Sequence, residues 1–141
     1  MKASDEGLEL IRKAEGLKLV AYRCPAGEWT IGYGHTSGVK RGMTISVAEA
    51  EKFLRADVEE AEKAINAMHV QLRQTQFDAL VSFVFNVGAA RFKTSTMRRK
   101  IIAGASDKEV AAEFARWKFS TGEISVGLVN RRKREAALYL R

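Results

Sequence analysis

The sequence holds a single cysteine, Cys24, in 141 residues. That excludes an intramolecular disulfide and any multi-cysteine metal centre. Its two histidines, His35 and His69, lie far apart and outside any H-E-x-x-H context, so no metal or other cofactor is expected. Long apolar runs are missing too. The longest uncharged run, Ala79 to Ala90, is too short for a bilayer and carries Ser82 and Asn86. Met1 to Glu6 has no apolar segment of the signal type, so no export signal is visible.

What is present fits one compact domain with a real core. Apolar residues make up 46%, which excludes disordered and fibrous classes. The net charge is +7, gathered in Arg98-Arg99-Lys100 and in Arg131-Arg132-Lys133-Arg134. A basic surface attracts polyanions, among them nucleic acid, anionic membrane and bacterial cell wall. Solvated helix faces would account for both clusters equally well. No nucleic-acid motif accompanies them and few aromatics interleave, so nucleic acid is not an expected partner.

Along the chain, Ser4 suits an N-cap, with Asp5 and Glu6 in the first turn of a helix that Gly16 ends. Glu15 then falls at the helix C-terminus. Alternation from Leu17 to Tyr22, the turn signal Pro25-Ala26-Gly27 and the stretch Trp29 to Tyr33 predict a β-hairpin. Cys24 sits near its bend and Thr30 on its return strand. Further turns at Gly38 and Gly42 precede a possible third short strand.

A capping box at Ser46 and Glu49 opens a helix with apolar residues at steps of three and four, from Val47 to Met68. It is expected to run about 20 residues, or about 30 Å. Later helices are expected over 75–87, 95–103, 106–119 and 125–140. The predicted fold is α+β and mostly α. A small hairpin lobe (about 15–46) is joined by a long helix (about 46–68) to a helical lobe (about 69–141), with helix 4–14 packed on it.

Three polar residues suggest chemistry. Glu15 lies between a helix end and a strand, where a cleft can form. Cleaving a glycosidic bond needs an acid for the leaving oxygen and a second group on the opposite face of the sugar. Cys24 is flanked by Arg23, a cation that favours thiolate, although a lone cysteine is commonly just a small buried hydrophobe. Thr30 could hold a water if it faced a cleft. Gly32 and Gly34 flank Tyr33 and suggest close backbone approach. His35 suits a structural hydrogen bond.

The run Glu15 to Thr36 resembles the active-site signature of the phage-type lysozymes, the endolysin muramidases. The similarity continues through Phe77 to Gly88, Phe92 to Thr96, Arg116-Trp117 and Gly127 to Arg132 followed by Glu135. It implies a two-lobed lysozyme fold. It also implies hydrolysis of the β-1,4 bond between N-acetylmuramic acid and N-acetylglucosamine in peptidoglycan. Glu15 matches the general acid and Thr30 the water-placing threonine. Cys24 stands where the family usually has aspartate. Asn86, Arg131 and His35 are the implied substrate-binding residues, Arg131 by pairing with Glu15.

Three roles stay open for Cys24: a thiolate base, a nucleophile, or near silence. A lytic transglycosylase and a catalytically weak wall-binding module are the alternatives for the whole chain. The resemblance further implies a monomer without stable membrane insertion. Such a protein is made in the bacterial cytoplasm and acts on the wall in the periplasm, after release through a holin.

Overall fold

The computed structural model describes residues 1–141, and its first helix, α1, runs Asp5–Glu15. Ser4 occupies the N-cap without capping. Its hydroxyl donates to Asp78, and its backbone N–H donates to the same carboxylate at 2.9 Å. The chain start is thereby tied to a later helix. Asp5 and Glu6 in the first turn, with Arg12 and Lys13 in the last, match the helix dipole. Gly16 stops the helix at φ 71°, and its N–H returns to the Arg12 carbonyl at 2.9 Å. Glu15 is left as the last helical residue.

Strands β1 (Lys18–Arg23) and β2 (Trp29–Gly32) pair antiparallel, with Tyr22 opposite Thr30. The bend closes through Cys24. Its N–H donates to the Glu28 carbonyl at 2.9 Å, and its carbonyl accepts from Gly27 at 2.8 Å. The possible third strand is reduced to one bridge, Val20 to Thr44. The two strands differ in burial: β1 is largely exposed, Val20 included, whereas Thr30 and Ile31 of β2 are buried.

The capping box at Ser46 and Glu49 forms as expected. The helix it opens does not run unbroken over 46–68. It divides at Val58 into α2 (Val47–Asp57) and α3 (Glu59–Asn66). Val58 stays near helical geometry at φ −76°, ψ −14°, so α3 continues the line of α2 after a loosened turn. Two features favour the break. Val58 is wholly buried and β-branched, which fixes its side chain against the core. Glu59, Glu60 and Glu62 also suit a new helix N-terminus.

Helix α4 (Gln74–Val87) is the centre of the molecule. Every residue from Gln76 to Val84 is buried, the mark of a helix covered on all sides. Around it lie α1, α3 and the last helix, α8 (Val126–Leu140). Phe83 is packed edge-on by Phe114 and Trp117, with ring centroids 5.4 Å away in both pairs. Short helices α5 (Ala89–Lys93), α6 (Thr96–Ile102) and α7 (Asp107–Phe114) complete this side.

Helix α7 ends well before residue 119. The chain there forms a second small hairpin, β3 (Phe119–Ser120) and β4 (Glu123–Ile124). Thr121 and Gly122 turn it at φ 50° and 84°. The fold is α+β and mostly α, as the sequence predicts. No helix is long and apolar enough to cross a membrane.

Candidate active site

Glu15 reaches from the end of α1 into a cleft of about 370 Å³, whose lining includes Gly34, Asp57, Glu60, Val84 and Asn86. Its Oε1 accepts from Arg131 Nη1 at 2.9 Å, with the Glu15 side chain 25% exposed and that of Arg131 only 8%. Gly34 makes room for this carboxylate. A Cβ at Gly34 would lie 3.2 Å from Glu15 Oε2, and its φ of +80° is strained for any other residue. The carboxylate is thus fixed on one side by a cation and on another by bare backbone, with water still in reach.

Behind it lies a buried polar cluster on α8. Arg131 also donates from Nη2 to the Ser82 carbonyl at 3.0 Å and from Nε to Glu135 at 3.3 Å. Glu135 is wholly buried and accepts from Arg132 Nη1 at 2.5 Å and from the Ser82 hydroxyl at 2.6 Å. Burial leaves the pKa of Glu135 above the usual carboxylate value, although the Arg132 and Arg131 guanidiniums and the Ser82 hydroxyl offset part of the rise. Arg132 donates onward to the Asn86 side-chain oxygen and, at 3.0 Å, to the Trp117 carbonyl. Its guanidinium stands 5.0 Å from the Phe83 ring centroid. The C-terminal basic cluster is therefore not one solvated face. Arg131 and Arg132 point inward, and only Lys133 and Arg134 are exposed.

Cys24 and Thr30 come together at the hairpin. Desolvation pushes the Cys24 thiol up, but the backbone N–H groups of Glu28 and Ala26 and the Thr30 hydroxyl outweigh it. The thiol ends below its ordinary value. Thr30 is buried, and its single hydroxyl proton is shared between the Glu28 carbonyl, 3.2 Å away, and the Cys24 sulfur, so it turns to the sulfur when the thiolate forms. Neither residue lines the cavity that Glu15 faces.

Asn86 is exposed and belongs to the cleft wall. His35 does not line that cavity. Its Nδ1 is 2.8 Å from Asp57 Oδ2, and its ring stacks on Phe53 at 4.1 Å. It holds Asp57, which does line the cleft, and has the setting of a support rather than of a substrate contact.

Sequence reasoning assigned no role to Asp57, Glu60, Arg132 or Glu135. The last two stood in view within the Gly127-to-Glu135 block. The position of Glu135 at i+4 from Arg131 and i+3 from Arg132 on one helix was the available signal.

A mostly helical fold with a small hairpin, and a carboxylic acid at its cleft, defines a lysozyme-type glycoside hydrolase. The phage lysozyme family model matches residues 12–135, and the chain belongs to that family. It is 41% identical over 146 residues to an endolysin of Acyrthosiphon pisum secondary endosymbiont phage 1, covering 99% of this chain and 98% of the relative. It is 43% identical to the endolysin of Bacillus phage PZA over 99% of its own length, and spans 55% of that longer protein. Among solved structures, the muramidase domain of SpmX from Asticaccaulis excentricus matches with a TM-score of 0.92 and 37% identity. That match covers 99% of this chain and 98% of the domain.

Proposed function

We propose that this endolysin-type lysozyme cuts the β-1,4 bond between N-acetylmuramic acid and N-acetylglucosamine, with Glu15 as the general acid. The observation that carries the reading is the placement of Glu15 at a cleft, one oxygen held by Arg131 at 2.9 Å and the other beside Gly34. Protonating a leaving sugar oxygen requires a carboxyl that is held in place and carries a proton, so the Arg131 pair, which favours the ionised form, loosens when sugar fills the cleft. Cys24 and Thr30, which lie at the hairpin outside the lining of the Glu15 cavity, serve the attacking water once sugar spans from the cleft to the hairpin, Cys24 as thiolate base and Thr30 as its orienting partner. The depressed thiol pKa supports this role, as does the shared position of the two residues at the hairpin. Asn86 and Arg131 act on the substrate side of the cleft, Asn86 by direct contact and Arg131 through Glu15.

The protein acts as a monomer on the wall and reaches it from the cytoplasm through a holin. Its excess of basic residues supports attraction to the anionic wall.

Digestion of purified peptidoglycan, with product masses, tests the reading. Hydrolysis gives reducing muropeptides, whereas a 1,6-anhydro product, lighter by one water, would make the chain a transglycosylase. Glu15→Gln should abolish release of soluble fragments, and retained activity would remove Glu15 from the acid's role. Wall binding without any fragment release by the unaltered chain would leave only a binding module.

A further inference from the structure

We infer that Glu135 is a positioning residue: its buried carboxylate holds Arg131 towards Glu15 and Arg132 towards Asn86, so one group sets two walls of the cleft. The inference rests on the reading of Glu15 as the acid. Consecutive residues on a helix project about 100° apart, so adjacent arginines do not naturally serve one site. A carboxylate three and four positions on can lie between them. Glu135 does so, meeting Arg132 at 2.5 Å through Oε1 and Arg131 at 3.3 Å through Oε2. Ser82 fixes Oε2 from the neighbouring helix at 2.6 Å.

The result is an unbroken polar chain: Glu15, Arg131, Glu135, Arg132, Asn86. Its two ends are the members that face the cleft cavity. Its middle is sealed, with the side chains of Arg132 and Glu135 exposed by 1% and 0%. A bulk-solvated chain would lose orientation at each link. This one has few other arrangements open to it. Arg132 is pinned besides by Trp117 and Phe83, and Arg131 by the Ser82 carbonyl. Contact of a sugar with Asn86 is thereby coupled to the aim of Arg131 at the acid.

Steady-state kinetics on peptidoglycan and side-chain N–H NMR with an N-acetylglucosamine oligomer test this together. Glu135→Gln should lower kcat by about tenfold or more, since small misplacements of a reacting group are costly, and should raise KM as well. Asn86→Ala should raise KM. The double variant should have a KM no higher than Glu135→Gln alone. In the unaltered protein the oligomer should move the Arg131 Nε–H signal, and in Glu135→Gln it should not.

Multiplying KM effects would overturn the proposal, as would a Glu135→Gln protein that melts earlier but keeps its kcat and KM. If Glu135→Gln does not fold, Ser82→Ala removes one hydrogen bond and no charge. It should shift kcat and KM in the same directions by less, and unchanged values would again overturn the proposal. Activity retained in Glu15→Gln would instead remove the acid assignment, while the oligomer-induced Arg131 signal would still report the polar chain.

Discussion

Replacing Arg131 by methionine keeps much of the side-chain volume and removes all its donors. Three partners are affected. Glu15 is a quarter exposed and regains water, so losing the 2.9 Å pair costs about 0–1 kcal/mol. The Ser82 carbonyl loses a donor at 3.0 Å in a buried setting, about 1 kcal/mol. Glu135 keeps Arg132 and Ser82 but loses its third donor, about 1–2 kcal/mol. The total, about 3 kcal/mol, sits at the low end for breaking a buried pair, as expected when one cation remains. At about 3 °C per kcal/mol for a chain of this size, Tm should fall by about 9 °C. Differential scanning calorimetry reads this directly. Muralytic activity, measured well below the new Tm, should fall at least about tenfold because Glu15 loses its fixed aim. A Tm change under about 3 °C would mean the buried cluster tolerates the loss by rearranging. The assignment of Arg131 as its joint would then be wrong.

Cys24 offers a pH test. A thiolate forms as pH rises through the thiol pKa, which lies below the ordinary value. If thiolate activates water, the ratio of unaltered activity to that of Cys24→Asp should climb across that range, because the aspartate is ionised throughout. A flat ratio, or a Cys24→Ala variant as active as the unaltered chain, would sink the base role. Gly34→Ala should cost about 1–2 kcal/mol from φ +80° alone, and its new Cβ crowds Glu15, so fragment release should drop by about tenfold. Circular dichroism melts with turnover would check both, and an active, stable variant refutes the close approach. His35→Ala should lower Tm by about 5 °C through loss of the Phe53 stack and the Asp57 bond. Its KM should change less than about threefold, and a larger rise would give the ring a direct role in substrate binding. Added salt should reduce activity on intact walls, and an unchanged rate would remove electrostatic attraction as a cause.

How far the sequence carried the fold depended on how local each signal was. Gly16 and the Ser46 box act through their immediate neighbours, and they bound helices as read. So does the hairpin bend, where Pro25, Ala26 and Gly27 follow Cys24. Ser4 shows the limit of that logic. Its residue type marks a cap, yet Asp78, far along the chain, takes its hydroxyl. The break at Val58 hides inside perfect helical periodicity, since a loosened turn keeps the same face inward. Residues 115–119 read as helix because Trp117 and Phe119 extend the apolar pattern. Thr121 and Gly122 at positive φ turn the chain instead.

The site divides in the same way. Glu15, Cys24 and Thr30 stood out as candidates because they share one short polar, glycine-bearing stretch, and of the three only Glu15 lines the cleft cavity. Arg132 and Glu135 did not, because a run of basic residues normally reads as surface. Only tertiary packing turns two of four consecutive cations inward, and it can do so because an acid lies one helical turn away. An uncompensated pair of buried guanidiniums would be far too costly to keep. Hence the informative pattern in such a stretch is the single carboxylate among the arginines. A basic helix with an acid at i+3 and i+4 from adjacent arginines has the means to bury both of them. Replacing Glu135 by lysine should therefore prevent folding, whereas Lys133→Glu on the exposed side of the same helix should change Tm by less than about 2 °C. Equal melting losses in the two variants would show that the inward and outward cations of this run are not energetically distinct.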